Sequence, residues 1–162
     1  MRRETMERND LAAICKTIIV IRPASEAFDI FVKEIAAWWP LQTHSIGADK
    51  GNTAPISVAI EEFVGGRIYE TGVDGSTCDW GKVLEFEAGK SLRLLWQLGR
   101  PESLASEVVV HFEPLDNESC RVVLRHEHWE RLGERAIEVR GGYEGGWDIV
   151  FGKLYAGRAN KA

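Results

Sequence analysis

In the stretch LRHEHWERLG, Leu124 to Gly133, two histidines flank a glutamate and a tryptophan follows directly. Imidazoles at this spacing can ligate a metal, move protons near neutral pH, or hydrogen-bond within a wall. Side chains two apart on a strand share a face. On a strand ending near His128, then, Val122, Leu124, His126 and His128 point one way, and Arg121, Val123, Arg125 and Glu127 the other. The apolar start of the first set makes it the core-facing side, so both histidines are predicted to enter the interior. A zinc centre wants a third ligand. His44 and His111 show no ligand spacing with the pair, and His111, alternating with Phe112, is placed facing outward. The reading is a pair of wall histidines that bond each other, water or a bound molecule, with acid–base catalysis as the alternative. No metal and no cofactor is expected.

The six tryptophans need volume and one partner each for the indole N–H. Trp38 and Trp39 close a helical run, and Trp96 shares a strand face with Leu92 and Leu94. Trp129 stands at a strand–helix junction, and Trp147 lies on a helical stripe with Tyr143. These five, with His126, His128 and Tyr143, form the expected ligand-binding set; no catalytic residue is assigned. Glu70, Asp79 and Glu85 are read as solvated sheet surface. No Ser-His-Asp or Cys-His pairing has a local signature, and no glycine pair opens a helix after a strand as a phosphate loop must.

The elements that must position these groups follow from periodicity. Residues 1–13 read as a flexible lead and 14–158 as a single domain. KTIIVIRP, Lys16 to Pro23, is β-branched and reads as the first strand. From Pro23, Phe28, Phe31, Val32 and Ile35 recur at helical spacing until Pro40, and residues 41–53 read as a loop. Six period-two runs follow, from PISVAIEEF to ESCRVVLRHEH, with short turns between them. Connections that short require antiparallel neighbours. Leu132, Ala136, Val139, Tyr143, Trp147, Val150 and Leu154 then form one stripe on a long final helix. The order is α+β, and a curved sheet must lay one face on that helix to bury both.

Composition narrows the partners. The formal charge is −5, with no basic run beyond Arg2–Arg3, so nucleic acid is not expected. No apolar stretch approaches the roughly 20 residues of a membrane span. Three widely spaced cysteines, Cys15, Cys78 and Cys120, fit reduced thiols in a cytoplasm.

Taken in order, AWWP, GGRIYE, WGKVLEFEAGKSLRLLWQLG, VVLRHEHWERLG and YEGGWDIVFGKLYA resemble the family named after the activator of Hsp90 ATPase, within the START-like, Bet v 1-like (SRPBCC) superfamily. The likeness runs over about residues 14–157. It implies a helix-grip fold: about seven antiparallel strands gripping a long C-terminal helix, with a cavity for a small apolar or aromatic molecule between them. The superfamily also contains cyclases, hence the alternative of a cyclase- or hydrolase-type enzyme using His126 and His128, and co-chaperone parts, hence a stress-linked interaction module. The eukaryotic activator carries a separate N-terminal Hsp90-binding domain for which this length leaves no room, so Hsp90 activation is not expected. The cavity is predicted at roughly 300–1,000 Å³. Gly141, Gly142, Gly145, Gly146 and Gly152 fall inside the final helix, which is predicted to bend or loosen near Gly141–Gly146 as a lid.

Overall fold

The computed structural model describes residues 11–51 and 53–161. Most of the predicted lead, residues 1–13, lies outside them. The period-two runs form strands β1 (Ile14–Val20), β2 (Ser57–Ile60), β3 (Arg67–Thr71), β4 (Thr77–Glu87), β5 (Ser91–Trp96), β6 (Ser106–Pro114) and β7 (Cys120–Glu127). They make one antiparallel sheet in the order β1-β7-β6-β5-β4-β3-β2. The meander from β2 to β7 follows from its short turns, and β1 adds to the free side of β7, with Ile14 opposite His126 and Val20 opposite Cys120. The fold is the predicted helix-grip α+β architecture.

The inner face of the sheet is apolar because each strand alternates. Leu92, Leu94 and Trp96 of β5 stand opposite Val110, Val108 and Ser106 of β6. Val108, Val110 and Phe112 in turn stand opposite His126, Leu124 and Val122 of β7. All ten of these side chains are buried. Onto them pack α1 (Ala24–Lys33), through Ala27, Phe28, Phe31 and Val32, and the C-terminal helical run.

Three local departures from the expected elements matter for the site. The first helix is not continuous: Glu34, at φ −107°, separates α1 from a single turn, α2 (Ile35–Trp38), and Trp39 leaves helical geometry ahead of Pro40. The loop at 41–53 contains a further turn, α3 (Ile46–Asp49), whose first residues are capped by Ser45, with Oγ accepting from the Ala48 N–H at 3.0 Å.

The third departure is in the last helix. After 3-10 turns at Trp129–Arg135, α4 (Ala136–Ile149) runs as α-helix through Gly141–Gly146, with no break at the glycines where a bend or loosening is expected. The irregularity is a π-helical turn at Val150–Tyr155, before α5 (Ala156–Ala159). A π turn accommodates one extra residue and rotates all that follows by about 100°. The buried stripe therefore continues through Phe151, Tyr155 and Ala159, and Leu154, predicted to lie on it, is 38% exposed. No described helix is long and apolar enough to cross a membrane.

Candidate ligand-binding site

The interior beside α4 is built from indoles. Trp39 lies 5.0 Å from Trp80 and 5.9 Å from both Trp96 and Trp147, centroid to centroid. Trp80, absent from the expected set, enters through a β-bulge. In the pairing of β3 with β4, Ile68 faces Gly81 and Tyr69 faces Asp79, leaving Trp80 as the extra residue. A bulge breaks alternation, so Trp80 and Gly81 both end up buried. Gly81 has no substitute here, since a Cβ would sit 1.7 Å from the Leu95 carbonyl oxygen. A glycine directly after Trp80 inside a strand run is the local sign of such a bulge.

Every indole N–H in this group has an acceptor. Trp39 donates to the His44 carbonyl at 2.6 Å, Trp80 to Glu70 Oε1 at 2.7 Å, Trp96 to the Tyr143 hydroxyl at 2.9 Å, Trp129 to the His126 carbonyl at 3.0 Å and Trp147 to His126 Nδ1 at 3.0 Å. Glu70 is thus not the solvated sheet surface expected from the sequence. It is buried at 4% exposure, and it also accepts from the Ile46 and Gly47 amides, bolting α3 to the sheet. No local pattern could announce this, because its partners lie ten to twenty-four residues away. Asp79 and Glu85 are exposed, paired with Arg67 and Arg93.

His126 is fully buried at the centre. Because Nδ1 accepts from Trp147, Nε2 carries the proton of the neutral ring and donates to Ser106 Oγ at 2.7 Å. Burial, reinforced by the positive charges of Arg100 and Arg140, holds its pKa well below the usual histidine value. Burial likewise pushes the Tyr143 phenol up to about 12, against the opposing effect of the Trp96 hydrogen bond.

His128 does not join it. β7 ends at Glu127, and His128 takes a left-handed conformation, φ 67°, that ends alternation and turns its ring out of the interior. Its nitrogens lie 3.8 Å from Glu127 and 3.4 Å from Glu130, on the opposite side of the sheet. There Glu107 and Glu127, directly across from each other, are bridged by Arg93 at 2.8 and 3.3 Å. Burial works to raise the Glu107 pKa, but the hydrogen bonds from Arg131 and Arg93 outweigh it and hold the carboxyl below its usual range.

A pocket of about 220 Å³ opens beside the indoles. Its helix wall is Val139, Gly142, Tyr143, Gly146, Trp147 and Val150; its other wall is Trp39, the segment Thr43–Ser45, Asp49 and Leu98. It lies between α4 and two loops rather than against the strands, and it is smaller than the predicted range because the protein's own indoles fill the space behind it. Of the expected set, Trp39, Tyr143 and Trp147 line it. Trp96, His126 and Trp129 form the layer behind. Trp38 faces away, donating to the Ile30 carbonyl and packing on Phe31 and Tyr155. His44, set aside by spacing, is on the pocket wall, with Nδ1 2.8 Å from Thr43 Oγ1. Leu98 is held at φ 48°, a costly conformation for a non-glycine residue. Among the described residues no group of three His, Cys, Asp or Glu side chains is placed to hold a metal ion.

The family described as activator of Hsp90 ATPase homolog 1-like protein matches residues 22–156. The chain belongs to that family. Among curated proteins nothing matches it. Similar solved structures include the anthrahydroquino-gamma-pyrone synthase Txn09, at 27% identity and TM-score 0.63, over 90% of this chain and 95% of that one. The self-sacrificing resistance protein CalC from Micromonospora echinospora is similar at 22% identity and TM-score 0.65, over 93% and 96%. The Aha1 dimer from Colwellia psychrerythraea is similar at 15% identity and TM-score 0.64, over 92% and 96%. The last two likenesses are of fold alone. The family and the helix-grip fold therefore agree with the resemblance carried by the sequence motifs.

Proposed function

We propose that this protein binds a small apolar or aromatic molecule in the pocket between α4 and the 39–49 and 97–99 loops. The observation that carries the reading is the division of labour between the pocket and the layer behind it. Indole faces and aliphatic side chains make the wall, and the Trp96 and Trp147 N–H groups already have acceptors, so a largely apolar guest leaves only the Tyr143 hydroxyl proton to be matched. Both ring nitrogens of His126 are engaged and the ring is off the pocket wall, which favours a role in holding the layer behind it over proton transfer.

A second reading, an enzyme acting on such a molecule, is favoured by His44, Ser45 and Asp49 on the pocket wall and by the likeness to a synthase at 27% identity. Mass spectrometry of freshly purified protein under native conditions, followed by extraction, identifies what co-purifies. Binding is expected to survive His44→Ala. If His44→Ala instead leaves the bound compound in a chemically different form from that found with the wild type, the enzyme reading replaces the binding one.

A further inference from the structure

Gly142 and Gly146 are four residues apart on α4, so both face the pocket. Each is a much weaker helix former than alanine in a helix interior. Two ordinary reasons for keeping glycine do not apply. Neither residue has a positive φ, and a Cβ built on either meets nothing within 4 Å. What a side chain at these positions would do is project into the pocket. The bare backbone is therefore a flat floor, one helical turn long, facing Trp39 and Leu98.

Beside that floor stands the Tyr143 hydroxyl. It accepts from the Trp96 N–H, which fixes the phenol in place, and its own proton has no acceptor among the described residues. A phenol with a pKa raised to about 12 remains a donor throughout the physiological range. The complement is an oxygen acceptor on the guest. Arg100 and Asp49, opposite in sign, both act on that hydroxyl, so the charges near the guest offset one another and a neutral guest needs no counter-charge. Size sets the last limit. A dry cavity of about 150 Å³ accommodates benzene. The 220 Å³ here suits one substituted ring or two fused ones.

We propose that the pocket's guest is a neutral, planar aromatic of one or two rings, lying on the backbone at Gly142 and Gly146 with a carbonyl or ether oxygen against the Tyr143 hydroxyl. This rests on the binding reading above and names its ligand class.

Coumarin, a neutral bicyclic lactone, is the probe, with decanol as the aliphatic comparison and coumarin-3-carboxylate as the anionic one, each titrated calorimetrically. Wild-type protein is expected to prefer coumarin to both. Gly146→Leu is expected to weaken coumarin binding by more than about tenfold while the melting temperature holds or rises, since leucine is the better helix former. Gly141→Leu, on the exposed face of the same helix, leaves binding unchanged. Tyr143→Phe weakens it by about 2- to 10-fold, the value of one hydrogen bond. Should Gly146→Leu lower the melting temperature, Gly146→Ala and Tyr143→Phe together carry the test. Coumarin binding that is indifferent to Gly146→Leu, or a preference for decanol or for the carboxylate, overturns this assignment and leaves the binding reading standing. Absence of binding to all three probes, with nothing co-purifying, overturns both.

Discussion

The interior has two aromatic halves that differ in chemistry. In one, Phe28, Phe31, Phe86 and Phe112 meet edge to face at centroid distances between 5.2 and 6.0 Å. In the other, five tryptophans surround His126 and Tyr143 and each indole N–H is bonded. Trp38 and Trp39, 5.8 Å apart, join them, and the π turn at Val150–Tyr155 spans the seam on the helix side. The phenylalanine half excludes water with no polar atoms to satisfy. Its rings close the end of the grip under α1. The tryptophan half carries polar atoms on large rings, so it must be networked, and a network of rigid rings cannot collapse completely. The pocket lies beside that half. The lesson is that shape-filling and pocket-forming were assigned to different ring types within one core.

The sharpest way to break this comparison is truncation in each half. Phe31→Ala removes a ring that touches Trp38, Phe112 and Tyr155, and is expected to cost about 3–5 kcal/mol in denaturant unfolding. Trp147→Phe keeps a ring but leaves the buried His126 Nδ1 without its donor, at an expected cost of about 1–3 kcal/mol. If Trp147→Phe proves the more damaging of the two, the network rather than the phenylalanine packing is the principal source of stability and the contrast is reversed.

A smaller effect sharpens the comparison through pH. The folded pKa of His126 lies below its unfolded value, so between the two the unfolded chain binds the extra proton. Stability is then fully present above about pH 6.5 and is lost as pH falls, by up to about 1.4 kcal/mol per unit, until the folded pKa is reached. Glu107, whose pKa is depressed, contributes in the same direction but at lower pH. Urea unfolding between pH 7 and 5.5 therefore isolates the histidine. His126→Gln is expected to flatten the slope in that window. An unchanged slope in the variant would assign the acid sensitivity elsewhere and deprive the tryptophan half of its titrating centre.

Much of the fold was legible because its signals are local. Alternation in SLRLLW and CRVVLRHE placed Leu92, Leu94, Trp96 and His126 on the inner face, since a strand's two faces are decided by adjacent residues. The glycines of α4 were likewise visible as a cost without a local benefit. What alternation could not show is where it stops. His128 falls after β7 has ended, Trp80 sits in a bulge that only the register with β3 reveals, and the π turn moves Leu154 out and Tyr155 in by inserting one residue into the period. The pocket belongs to the same class. His44, Asp49 and Leu98 come to it from loops, whose positions are decided by distant partners: the buried Glu70 that caps α3, and the Trp80 carbonyl that accepts from the Leu98 amide at 2.8 Å. Sequence by itself determined which faces are apolar, because that is a property of neighbours in the chain. Tertiary structure decided which polar groups meet, because hydrogen bonds between residues far apart exist only once the sheet has closed on the helix.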